Sequence, residues 1–327
     1  MDTFSHIVIG FGIGALAQLD PVVSSSHGLT QAVLFGAVIG SNAPDFDYMY
    51  RLKGKGSYFR NHRGPSHSLL ILPLWGLLIS GILSVFFPSA DFRHLALWTF
   101  IAVILHVLFD LLNVHGTQIL QPFSQKWVAL GVIPLIDPYI LTIHFLGFCL
   151  LIFYPAGTTF FIIYLFIFIY LAYRTLSTTF TKRYLETYFV NAEQIKLIPG
   201  LDLFKWNIII ETNEDFLFGT YSNHELFIDH TLPKEINFKD VVIESTKDQT
   251  ISDFLAGTMY AFPIVKKRRT GYFVYWRDIR FRKKKFFFSH AIHFVSTDQK
   301  IKNSYIGRIH SLKKLREVLR KLQSPLD

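Results

Sequence analysis

The stretch Leu95-Ala-Leu-Trp-Thr-Phe-Ile-Ala-Val-Ile-Leu-His106-Val-Leu-Phe-Asp110-Leu-Leu-Asn113 decides how the rest of the sequence is read. It is apolar enough, and long enough, to cross a hydrocarbon core that needs roughly 17–25 helical residues. Near one end it nevertheless carries an imidazole and a carboxylate, groups that are costly in lipid. His106 and Asp110 are four residues apart and so project from one helix face, one turn from each other. The segment predicts a membrane helix that delivers two ligand-type side chains to one membrane face.

Working outward, residues 69–87 and 157–173 form uncharged apolar runs, and residues 130–154 form another that contains Asp137 and His144. Two shorter Gly/Ala-rich runs, 4–19 and 29–43, suit a hairpin. Together with 50% hydrophobic residues and a mean hydropathy of +0.31, these predict an α-helical polytopic domain of four to six spans over residues 1–175. Ala15-Leu16-Ala17 imitates a leader cleavage site, but no Lys or Arg precedes the run, and a retained first helix is the better expectation. Cys149 is the one cysteine, which excludes an internal disulfide and a cysteine-based zinc site.

Charge divides the chain. Residues 1–173 hold seven bases against seven acids, and the rest hold 26 of the 33 bases against 17 of the 24 acids. Five of the first seven bases (Arg51, Lys53, Lys55, Arg60, Arg63) lie in one loop, which the positive-inside rule places in the cytoplasm. Counting helices onward puts the end of the span carrying His106 and Asp110 on that side, along with a cytoplasmic domain at 176–327.

That second domain reads as β-rich (α+β). A Ser/Thr-rich linker (175–181) and a short helix (183–197) lead to strands at 206–212, 216–221, 225–228, 241–245, 272–276 and 286–295, closed by a basic helix at 312–322. Lys266, Lys267, Arg268, Arg269, Arg277, Arg280, Arg282, Lys283, Lys284 and Lys285 suggest contact with anionic lipid headgroups. A solvated basic surface is the plain alternative, and nucleic acid ranks last because no binding motif accompanies the charge.

The ligand-type residues gather at the predicted cytoplasmic face: His6, Asp45 and Asp47 (Asn42-Ala-Pro-Asp-Phe-Asp47), His62 and His67 (His62-Arg-Gly-Pro-Ser-His67), His106, Asp110, and His115 further out. Imidazoles with carboxylates suit Zn²⁺, with Mn²⁺ or Fe²⁺ as alternatives, as one or two ions. His6, Asp47, His62, His106 and Asp110 are the expected ligands, with His115 as an outer one. An extended segment would turn Asp45 and Asp47 the same way. Asp45 or His67 is expected to complete a second position or act as general base, and Arg63 to stabilise developing negative charge.

In order, Asp2-Thr-Phe-Ser-His6, Gly40-Ser-Asn-Ala-Pro-Asp-Phe-Asp47, His62-Arg-Gly-Pro-Ser-His-Ser68, His106-Val-Leu-Phe-Asp-Leu-Leu-Asn-Val-His-Gly-Thr117 and Gln121-Pro-Phe-Ser124 resemble the bacterial inner-membrane, LexA-regulated metal-dependent hydrolases of the YdjM-like family, in particular its longer YfhP-type members. The resemblance covers about the first 175 residues and implies metal-dependent hydrolysis with no defined substrate. The series His6, Asp47, His62, His106, Asp110, His115 is also similar to the ligand order of the zinc-dependent phospholipase C fold. It lacks the acidic ligand after His115, and no N-terminal amine is expected at the site. The expected activity is water attack on a phosphodiester or ester, of phospholipid type at the membrane. The rival readings are a transporter lined by His106, Asp110, Asp137 and His144, and a non-catalytic scaffold held by metal.

Overall fold

A computed structural model describes residues 1–283, 286–298 and 301–324. Eight α-helices form the first part: α1 (Thr3–Leu16), α2 (Pro21–Ser25), α3 (His27–Gly40), α4 (Lys55–Asn61), α5 (Leu72–Phe86), α6 (Phe92–Leu112), α7 (Pro138–Leu150) and α8 (Ala156–Tyr188). Local signals set their starts. Asp2, Asp20, Ser26, Asp91 and Asp137 each accept a backbone N–H as N-caps, and a proline opens α2 and α7.

Small residues let α1, α3 and α6 approach closely, as expected where lipid supplies no hydrophobic drive between helices. A Cβ on Gly10 would lie 2.4 Å from Ser41 Oγ, and one on Gly36 would lie 2.3 Å from Thr99 Oγ1. Ile9, Ile13, Ala37, Ala102 and Phe160 fill the resulting core.

Two helices, α6 with 21 residues and α8 with 33, are long and apolar enough to cross a membrane, and a third span exists if the segment Lys55–His67 and α5, bent by 83°, count as one. The expected span at 130–154 is different. Only 13 residues of it are helical, in α7, or about 20 Å at 1.5 Å per residue. Gly131 (φ 64°) and the prolines at 134 and 138 break the run, and its first part caps α6. Leu130 N–H donates to Leu111 O, and the N–H groups of Val132 and Ile133 donate to Leu112 O, filling orphan carbonyls of the helix end. The anticipated linker at 175–181 lies inside α8, which continues past residue 175 to Tyr188. The anticipated helix at 183–197 is instead the end of α8 followed by a strand.

Among the described residues the remainder holds two four-stranded antiparallel sheets and one short two-stranded pair. The first is a meander of β1 (Gln194–Pro199), β2 (Lys205–Glu211), β3 (Asp215–Ser222) and β4 (Glu225–Pro233), its last turn made by Asn223 and His224, both at positive φ. Helices α9 (Lys239–Ser245) and α10 (Gln249–Ala256) follow. Residues 241–245, read from sequence as a strand, are thus helical, burying Val242 beside Ile251 and Phe254. After them come β5 (Ala261–Arg268), β6 (Gly271–Asp278), the short pair β7 (Arg282–Lys283) and β8 (Phe286–Phe287), β9 (Ser289–Ser296), β10 (Lys302–Arg308) and α11 (Leu312–Gln323). The second sheet is ordered β10-β9-β6-β5. Its central β6 is buried on both faces, Val274 and Trp276 against α9 and α10, Phe273 and Tyr275 against α11.

Three of the arginines expected to meet headgroups are occupied elsewhere. Arg280 is 6% exposed, pairs with Asp278 at 2.7 Å and donates to Val114 O. Arg282 pairs with Asp229 at 2.8 Å, and Arg277 lies over the rings of Tyr275 and Phe287. Lys266, Lys267, Arg268 and Arg269 remain exposed at the β5–β6 turn. Lys284, Lys285 and the side chain of Lys283 lie outside the described residues.

The C-terminal part docks on the loops between the membrane helices. Arg60 Nε donates to Asp253 Oδ1 at 2.6 Å and Nη2 to Ser252 Oγ at 2.9 Å, while Trp127 Nε1 donates to Ala256 O. A Cβ on Gly56 would lie 2.2 Å from Asp253 Oδ2. Gly56→Leu is therefore expected to pry α4 from α10 at a cost of about 1–3 kcal/mol, measured as a lower denaturation midpoint of the full chain in detergent.

Candidate metal centre

Helix α6 brings His106 and Asp110, both fully buried, to the end of the bundle. His106 Nδ1–H donates to the Ser41 carbonyl at 2.7 Å, which leaves the Nε2 lone pair facing inward. Asp110 is held by one oxygen. Its Oδ1 receives Asn113 Nδ2 at 3.1 Å, lies 3.0 Å from Arg63 Nη2 and contacts the Met1 amine, while Oδ2 has no hydrogen-bond partner.

Asp45 comes from a 3₁₀ helix, Ala43–Lys53, opened by Pro44. His67 ends a 3₁₀ turn, Pro65–His67, with Ser66 Oγ 2.9 Å from its Nδ1. Four atoms converge. His67 Nε2 is 3.3 Å from His106 Nε2, 3.4 Å from Asp45 Oδ1 and 3.6 Å from Asp110 Oδ2; His106 Nε2 is 3.7 Å from each of those oxygens. The edge of a tetrahedron around an ion with bonds of about 2.0–2.1 Å is about 3.3 Å. The set fits a divalent ion in donor type as well as in spacing, since Asp45 Oδ1 and Asp110 Oδ2 are both buried without a donor.

Asp47 does something else. Its Oδ1 lies 2.9 Å from His62 Nδ1, and its Oδ2 accepts Arg63 N–H at 2.8 Å and Ser66 O–H at 3.2 Å. Both oxygens are therefore spent on the loop, and they hold Arg63 at a positive φ of 60°. Asp45, Asp47 and His62 also gather within 4.8 Å as a second group of ligand type, in which the His62 ring stacks on Tyr58 at 4.7 Å. Burial, with Asp47 and Asp45 nearby, pushes the Tyr58 phenol up to about 12.

The placement of each expected residue is as follows. Asp45, His67, His106 and Asp110 form the four-atom set; Asp47 and His62 pair beside it. His6 stacks on His106 at 3.8 Å, with Nε2 3.5 Å from Asp110 Oδ1 and neither ring nitrogen bonded. His115 is not brought to the set. Its ring stacks on Phe281 at 4.5 Å, and burial, followed by Arg63 and Arg280, pushes it well below its ordinary pKa. Arg63 is committed to Asn113 Oδ1, Met1 O and Asp110. Its guanidinium positions Asp110 instead of waiting for substrate charge. Ser41, Ser66 and Asn113 were not singled out, although all three sit inside the motifs that were.

Asp137 and His144 stand apart. Asp137 caps α7 and accepts Tyr170 O–H at 2.7 Å, and His144 Nδ1–H donates to Ile140 O at 2.8 Å.

Against known proteins, the model of the family described as YdjM inner membrane protein matches residues 1–181, which hold all of these side chains. The chain belongs to the YdjM inner membrane protein family. A second model, the YfhP C-terminal alpha/beta plait domain, matches residues 240–319, which includes the β10-β9-β6-β5 sheet. Uncharacterized protein YfhP of Bacillus subtilis (strain 168) is 36% identical over 325 residues, covering 98% of this chain and 99% of the relative. No solved structure matches. Membership, together with the apolar helices α6 and α8, places this YdjM-family chain in a membrane.

Metal analysis checks the four-atom set. Protein purified in detergent is expected to retain about one divalent ion per chain. Asp45→Asn, which keeps the shape of the loop, should lower that content at least fivefold, whereas His115→Phe should leave it unchanged.

Proposed function

We propose that this protein is a membrane-bound, metal-dependent hydrolase whose activated water attacks a phosphodiester or carboxylic ester at the cytoplasmic face. The observation that carries this reading is the pair of buried, donorless oxygens, Asp45 Oδ1 and Asp110 Oδ2, facing two imidazole nitrogens at tetrahedral spacing. Two carboxylate oxygens and two imidazole nitrogens make a donor set for a divalent ion, with Arg63 on the far oxygen of Asp110, and Zn²⁺ suits the donors best. Once bound, such an ion supplies Lewis-acid activation of water and neutralises charge on a phosphoryl or acyl oxygen.

The chain supplies the proton handling. His62 is a half-buried imidazole whose Nδ1 faces the buried Asp47 carboxylate, so Nε2 is the atom that takes a proton from attacking water and returns it to the leaving group. Asp47 fixes the tautomer, and Arg63 and Asn113 fix Asp110. The five bases of the 51–63 loop support a cytoplasmic location for this face.

The transporter reading is weaker, because Asp137 and His144 satisfy a helix start and a backbone carbonyl and do not form a path. The exposed Lys266–Arg269 cluster keeps its reading as a contact for anionic headgroups.

The test is turnover of chromogenic phosphodiester and ester substrates by detergent-purified protein. Chelation should abolish activity and Zn²⁺ restore it. His62→Gln should cost about 10²–10⁴-fold in kcat while metal content stays at the parent level. Turnover indifferent to chelator would sink the proposal.

A further inference from the structure

The 3₁₀ helix that supplies Asp45 has an edge the hydrolytic chemistry does not use. With three residues per turn, positions i, i+3 and i+6 eclipse, so Phe46, Met49 and Leu52 form one row. They are 46%, 68% and 85% exposed. Phe46 is joined edge-on to Trp75 of α5 at 5.8 Å. Beyond Trp75, α5 turns Leu74, Leu78 and Ile82 outward at successive turns, each more than half exposed. The row therefore continues the apolar face of a helix that belongs to the membrane part. Lys53 and Lys55 flank it, exposed and in no ion pair among the described residues. An apolar edge, cationic flanks and continuity with a lipid-facing helix are the features of a segment lying in the interfacial plane.

We infer that Ala43–Lys53 is an interfacial anchor seated at the boundary of headgroups and acyl chains, and that the centre draws its substrate from the bilayer: a lipid whose scissile ester or phosphodiester lies at headgroup depth. The geometry couples the two, because Asp45 and Phe46 are neighbours on one short helix. The same turn that seats Phe46 in lipid holds Asp45 at the four-atom set. The second half of the inference rests on the hydrolase reading; the first does not.

The experiment has two arms, both on the full chain reconstituted in phosphatidylcholine vesicles containing phosphatidylglycerol. In the first, Cys149→Ser removes the native thiol, and Met49→Cys and Leu52→Cys carry an environment-sensitive fluorophore, with Glu225→Cys on the β3–β4 turn as the aqueous reference. Blue-shifted emission and quenching by lipids spin-labelled near the headgroup are expected at 49 and 52 and not at 225. Emission at 49 and 52 matching that at 225 would overturn the anchor. In the second arm, Met49→Asp/Leu52→Asp should lower turnover of vesicle-borne lipid at least tenfold. Turnover of a short-chain, water-soluble analogue with the same scissile bond should stay within twofold, and metal content should not change. Equal loss on both substrates would overturn the bilayer source. If the parent turns over neither substrate, the hydrolase reading falls and the bilayer source with it, while the fluorophores still decide the anchor.

Discussion

Two carboxylate oxygens aimed at each other's neighbourhood, with no proton donor for either, set the terms for the membrane half of this protein. Burying one unpaired carboxylate costs several kcal/mol, and burying two together costs more. The fold meets this cost with fixed neighbours. Arg63, Asn113 and the Met1 amine hold the far oxygen of Asp110, and the Ser41 carbonyl orients His106. What is left over is a pocket of negative charge with two lone pairs, for which a divalent cation is the economical partner. The Gly-mediated approach of α1, α3 and α6 serves the same end, because it brings Ser41 and His6 within reach of His106.

Much of this was legible in the residues, and the failures have physical causes. His106 and Asp110 were readable because helical spacing is rigid. Asp45 and Asp47 come from a 3₁₀ helix started by Pro44 and not from an extended chain, yet with His62 their carboxylates still gather within 4.8 Å. One carboxylate then faces the imidazoles of His67 and His106 and the other faces His62, the reverse of the expected division of labour. His115 has ligand chemistry but lies beyond the turn at Gly116, where Phe281 from the other half of the chain claims its ring.

Hydropathy located the helices α6 and α8, and by length two helices, or three with the bent pair, can cross a membrane. Residues 130–137 are apolar enough to pass as membrane, yet they carry Gly131 and Pro134, and they spend their N–H groups on the carbonyls that end α6. In the C-terminal half the arginines were counted as surface charge. Asp278, only two residues away, takes Arg280, and the distant Asp229 takes Arg282; the second pairing is one that a linear pattern does not reveal.

The docking of the C-terminal half on α4 has a consequence for biosynthesis. All four residues of the set precede it in the chain, and Asp253 lies 143 residues after Asp110. At roughly 5–20 residues per second the ribosome needs on the order of 7–30 s to reach it. During that interval the loop bearing Arg60 lacks its partner in α10, so a divalent ion that meets the four-atom set then meets it before the C-terminal half has docked.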